Sequence, residues 1–117
     1  MLKLYNADSR DVFYDIAREC GCGNIVVVSD PPFNIGYKYK NYKDNMDDDE
    51  YYEMLGFFFG DYPSVVIHYP ESLYKLAFQI GKFPEKVISW VYNSNTAKQH
   101  RDIAFFDVKP NMSQVRQ

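Results

Sequence analysis

Cysteine is scarce. Cys20 and Cys22 are the only two among 117 residues, and they form a single Cys-Gly-Cys. With no second pair, a zinc site of paired cysteines cannot be completed. Reduced thiols without a chemical role, in a cytoplasmic chain without a signal peptide, are the expectation. Long apolar runs are missing too. None approaches the roughly 20 residues of a membrane span, so no membrane partner is expected. A basic surplus is also absent: 13 Lys and Arg against 16 Asp and Glu leave a formal charge of −3. That balance does not advertise a nucleic-acid binder, although an electrostatic footprint needs only a local basic patch. Internal repeats and low-complexity linkers are lacking as well.

What the chain has in surplus is aromatic. Phe, Trp and Tyr make up 18% of it, with eleven tyrosines and nine phenylalanines against one tryptophan. Tyrosine joins an apolar body to a polar handle, which suits surfaces that meet bases or partners and equally suits a tyrosine-rich core. Hydrophobic residues at 46% and charged residues at 25% are ordinary for one globular domain.

The pattern alternates strands with helices. Residues 1–5 alternate apolar and polar, as a short strand would. Asp8 or Ser9 follows as a helix N-cap. Val12, Phe13, Ile16 and Ala17 then predict a helix over 10–19, ended by Gly21 and Gly23. The β-branched run 25–29 reads as a buried strand. Residues 34–45 have no apolar periodicity and read as a long loop, of the length that is functional or disordered in compact domains. Asp47, Asp48, Asp49 and Glu50 lead into a helix through Tyr51, Met54, Leu55 and Phe58 to residue 59, acids being favoured at a helix N-terminus. Residues 64–69 form a third strand, 73–80 a helix, 86–92 a fourth strand and 103–108 a fifth. The order βαβ-loop-αβαββ predicts an α/β fold with a mainly parallel sheet, its first βαβ crossover right-handed.

Asp30-Pro31-Pro32-Phe33 stops the 25–29 strand. Two prolines cannot extend a ladder, and they fix the backbone just past it. An acid is thereby held at a strand's C-terminal end, the edge where open α/β sheets bind ligands. Asp-Pro-Pro-Phe after a hydrophobic strand, continued by Asn-Ile-Gly-Tyr at 34–37, resembles the catalytic motif of DNA methyltransferases that modify exocyclic amino groups, chiefly adenine N6. The resemblance implies a Rossmann-like methyltransferase fold with helices on both faces of the sheet, S-adenosylmethionine as cofactor and double-stranded DNA as partner. It also implies a role in DNA methylation of the restriction-modification kind.

An amine conjugated to a heteroaromatic ring is a poor nucleophile, because its lone pair is delocalised. The Asp30 carboxylate and the Pro31 carbonyl can accept hydrogen bonds from it and return electron density to nitrogen. The rigid Pro32 fixes the direction of that carbonyl. Phe33 can stack on the base, which must be extruded from the duplex to be reached. By the resemblance, Asp30, Pro31, Pro32 and Phe33 are catalytic, and Asp8, Ser9 and Asp30 approach the cofactor. Asp8 has a helix-capping reading beside that one, and both can hold. Tyr37, Lys38, Tyr39, Lys40 and Lys43 interleave rings with cations and read as a DNA-facing loop, the lysines for phosphates and the tyrosines for bases. The alternative is a solvated loop whose tyrosines pack back on the domain. Residues 93–95 with Lys98, His100 and Arg101 form a second polar segment, leading toward DNA-reading elements in look-alike enzymes. His68, in an apolar strand, reads as a satisfied core histidine.

The family's glycine-rich cofactor loop, of the Phe-x-Gly-x-Gly kind, is not found in the sequence. Only 29 residues precede Asp30, and one βα unit accounts for them. The resemblance is therefore to the permuted group, with the catalytic half first. Residues 1–117 read as its N-terminal part, inactive alone, with a C-terminal half or a second subunit supplying the cofactor loop. Asp at the first motif position leans toward adenine; an N4-cytosine enzyme, a non-catalytic DNA- or partner-binding remnant and an unrelated small α/β module are the alternatives.

Overall fold

The computed structural model describes residues 2–21, 23–92 and 100–114. The chain is a small α/β domain: α1 (Ser9–Cys20), β1 (Val27–Ser29), α2 (Asp48–Phe59), β2 (Ser64–His68), α3 (Pro70–Ile80), β3 (Lys86–Val91) and β4 (His100–Phe106). Three helices and three of the four strands thus form close to where periodicity places them. Asp8 caps α1 and Asp47 caps α2, each accepting from the backbone N–H two residues on. Pro70 opens α3 at the position where a missing N–H costs nothing. Gly81 closes it in the left-handed region, at φ 70°.

The sheet departs from expectation. Its order is β1-β2-β4-β3. Among hydrogen-bonded neighbours β1 and β2 run parallel, while β4 is antiparallel to both β2 and β3. The sheet is mixed, not mainly parallel. The reason is the connection between β3 and β4, which is too short for the crossover that parallel neighbours need. The chain turns back, and β4 inserts between β2 and β3. It also begins at His100, three residues before the expected start, while the polar break at 93–96 lies outside the described residues.

Residues 2–7 form no strand, so the first βαβ unit is not made. Leu2 and Leu4 stand 83% and 87% exposed. Two leucines offer too little apolar surface to offset the cost of ordering the segment into a sheet. The segment is tied instead to α1, where Lys3 pairs with Glu19. The adjacent parallel strands β1 and β2 are joined through α2.

Alternation along β2 and β4 directs Val66, Ala104 and Phe106 toward Tyr51, Leu55 and Phe59 of α2 and Leu73 and Leu76 of α3, the buried core. The other face carries Val28, Val65, Ile67, Ile103 and Phe105, none of them buried. Helical cover is thus a property of one face rather than of both. α1 packs at the side through Phe13, whose ring meets Phe57, Phe58 and Tyr62.

Leu76 is fully buried in α3, and alanine is a better helix former than leucine, so its truncation isolates packing. Leu76→Ala should destabilise the domain by about 2–5 kcal/mol, measured by urea unfolding followed with far-ultraviolet circular dichroism.

Candidate active site around residues 30–33

β1 ends at Ser29 and hands the chain directly to Asp30. Asp30 is exposed and Pro31 buried. Among the described residues no hydrogen-bond or ion-pair partner claims the Asp30 carboxylate, so its oxygens are free to accept. The turn beyond it is held from below. The Tyr69 N–H donates to His68 Nδ1 at 2.8 Å, which leaves Nε2 to carry the ring proton. Nε2 lies 2.7 Å from the Tyr51 hydroxyl, and that hydroxyl donates to the Pro32 carbonyl at 2.5 Å. Tyr51 and His68 are each 1% exposed. Burial, first among the causes, pushes the Tyr51 phenol far above its ordinary range, so the donor stays protonated at any physiological pH. His68 is therefore a satisfied core histidine. It is also the far end of a hydrogen-bonded strut under the motif.

Phe33 packs against the rings of His68 and Tyr69, with centroids 4.7 and 4.9 Å away. Its other neighbour is Arg101, whose guanidinium carbon lies 4.6 Å from the Phe33 centroid.

The loop after the motif has an anchor that composition did not reveal. Asp44 is 2% exposed, and its carboxylate accepts three backbone N–H groups, from Asn34 at 2.9 Å and from Ile35 and Tyr37 at 3.1 Å each. Asn34 and Gly36 sit at φ 57° and 77°; these left-handed turns let the three N–H groups converge on one side chain. Asn34 Nδ2 donates to the Met46 carbonyl at 2.7 Å. Lys38 and Lys43 face each other across an isolated antiparallel bridge. Lys38, Lys40 and Lys43 are exposed, as are Tyr37 and Tyr39, whose rings meet at a tilt with centroids 4.7 Å apart. The five loop residues singled out from sequence thus share one tethered, outward-facing hairpin.

Asp30 and Pro31 stand between two cavities. One, of about 460 Å³, is lined by Asp8, Ser9, Arg10, Phe13, Val28 and Pro32 among others. The second, of about 210 Å³, is lined by Phe33, Tyr37, Tyr39, Asp44, Tyr69 and Arg101 among others. Both include Asp30 and Pro31 in their walls. Asp8, Ser9 and Asp30 are therefore brought together on one side, and Asp30, Phe33, Tyr37 and Tyr39 on the other. Lys38, Lys40 and Lys43 line neither. Asp8 does more than cap α1: Arg10 grips its carboxylate with Nε at 3.0 Å and Nη2 at 2.6 Å. These side-chain bonds, followed by the backbone bond from Arg10, lower its carboxyl to about 2.

No family model, curated protein or solved structure matches the chain. Three contributors escaped sequence reading. Tyr51 lies in an apolar helical stripe and looks like core. Asp44 is one acid in a loop of lysines. Tyr69 follows a strand and has only its position beside His68 to mark it. Arg101 was noted for charge, and not for a place beside Phe33. Residues 93–95 and Lys98 lie outside the described residues.

Asp8 gives a pH test. Because its folded value is depressed, its contribution is complete above the ordinary value near 3.8 and is lost as pH falls through about 2. A carboxyl-resolved NMR titration should give a midpoint near 2, moving back toward 3.8 in Arg10→Ala. Asp44→Ala should release the 34–46 loop at a cost on the order of 3 kcal/mol. Limited proteolysis should then cut between residues 37 and 43 while the core stays folded.

Proposed function

We propose that this chain is the catalytic part of an S-adenosylmethionine-dependent DNA methyltransferase acting on the N6 amine of an extruded adenine. The observation that carries the reading is the shared wall: the Asp30-Pro31 step separates a cavity beside Asp8 and Ser9 from one floored by Phe33. Methyl transfer calls for donor on one side, acceptor on the other and hydrogen-bond acceptors where the two meet.

In this reading Phe33 carries the base, while Asp30 and the Pro31 carbonyl accept the two amine hydrogens. The Tyr51–Pro32 bond fixes the turn, so those acceptors keep their aim through the reaction rather than reorganising during it. The cofactor supplies an electrophilic methyl group on a sulfonium. Asp30 would accept the proton that the amine nitrogen gives up on taking that methyl group, the remainder of the cofactor leaving as a neutral thioether. No covalent intermediate with the protein is needed, and Cys20, exposed on α1, is not placed to form one.

The larger cavity fits one end of the cofactor. Phe13, Val27, Val28 and Phe58 give apolar walls, and Ser9 gives a hydroxyl at the rim. Asp8 is committed to Arg10 and serves the cofactor only if that pair opens. No Phe-x-Gly-x-Gly turn occurs in the 117 residues, so the methionine end needs a loop from another segment or subunit. Lys38, Lys40 and Lys43 supply positive charge beside the smaller cavity, where double-stranded DNA would lie.

The test is Asp30→Ala in the native protein, assayed by methyl transfer to unmethylated DNA and nucleoside analysis of the product. The rate should fall at least about 10²-fold, the loss seen for a deleted transition-state contact. Retained N6-methyladenine formation would sink the assignment of Asp30, and N4-methylcytosine as product would move the enzyme to the cytosine group.

A further inference from the structure

Arg101 has an unusual environment. It lies on β4, opposite Trp90 in the ladder, and its guanidinium sits over four aromatic rings. Phe33 is nearest at 4.6 Å; Tyr92, Trp90 and Tyr69 stand at 5.8, 5.9 and 6.0 Å. A cation–π attraction fades near 6 Å, so Phe33 is the principal contact. Among the described residues no carboxylate lies within ion-pair distance of Arg101. Its Nε is buried and has no hydrogen-bond partner. Among the described residues, the contacts on the group are with ring faces.

Position decides what this means. Phe33 packs in tilted contacts against His68 and Tyr69, both buried. Arg101 is half-buried and lines the smaller cavity together with Asp30 and Phe33, so guanidinium and ring share the space a ligand would enter. A guanidinium is flat, delocalised and of a size to lie on a ring, as a purine does. We propose that Arg101 is a plug: its guanidinium occupies the base platform on Phe33 and must swing out before an adenine can stack there. The proposal rests on Phe33 being that platform. A base stacked on an aromatic ring is worth as much as a cation–π contact or more, so the exchange favours the base, while water and small solutes leave the plug in place. Charge does not resist the exchange, because Arg101 gives up no ion pair in leaving.

The test uses adenosine, which offers the ring without phosphate, and compares wild type, Arg101→Ala, Arg101→Lys and Phe33→Ala, each checked for folding by far-ultraviolet circular dichroism. Removing the plug should raise adenosine affinity by about threefold, the worth of the contact that no longer has to be broken. Arg101→Lys keeps the charge but not the flat stack, and should fall between wild type and Arg101→Ala. Phe33→Ala should abolish binding. Adenosine bound equally or more weakly by Arg101→Ala than by wild type overturns the plug and leaves the platform standing. Adenosine bound by none of the four, or bound unchanged by Phe33→Ala, overturns the platform itself and the plug with it.

Discussion

One hydroxyl group ties this domain together. Tyr51 reaches from the first turn of α2, accepts a hydrogen bond from His68 at the end of β2, and donates one to the carbonyl of Pro32. Three segments that are distant in sequence meet at that oxygen. Every donor and acceptor along the line is used in only one direction, because the Tyr69 N–H settles the histidine tautomer. Buried polar groups are costly unless satisfied and directional once they are. The strut therefore adds little to the core's apolar cohesion, and it gives the turn after β1 a single orientation.

The surroundings of the motif follow from that fixed turn. Prolines alone restrict the backbone without saying where it points. With Pro32 pinned, Asp30 is left at the surface, Pro31 is buried, and Phe33 drops against His68 and Tyr69. The loop beyond is then closed by a second, independent device, the Asp44 carboxylate gathering three N–H groups. Two buried polar anchors, one on each side of Phe33, hold a segment that has no regular secondary structure. It is ordered without being part of the sheet, as catalytic and binding loops on rigid scaffolds commonly are.

Periodicity carried much of the fold. The apolar stripes of α1, α2 and α3 and the capping acids at Asp8 and Asp47 made the helices legible, and the runs 64–69 and 86–92 gave their strands to within a residue. Two things were hidden. The 1–5 alternation looks like a strand because alternation reports a face, and nothing in it reports whether a neighbour exists to cover that face. Strand direction was hidden for a related reason: it depends on how far the chain must travel between β3 and β4, and alternating elements suggest crossovers by default. At the site, residues 30–33 were legible from the strand and the prolines. The side chains that aim them were not, because Tyr51 and His68 each fit an apolar pattern, and their polar atoms matter only after folding brings them together.

The single tryptophan has a consequence of its own. Trp90 is 52% exposed on β3, away from the buried cluster beneath α2 and α3 and 5.9 Å from Arg101. Its emission is thus a local optical reporter of the aromatic cluster around that arginine, a positive charge beside the indole that shifts the colour as it moves. Fluorescence and circular dichroism then watch different parts of one molecule: the first sees the neighbourhood of Phe33, the second sees the helices and the sheet.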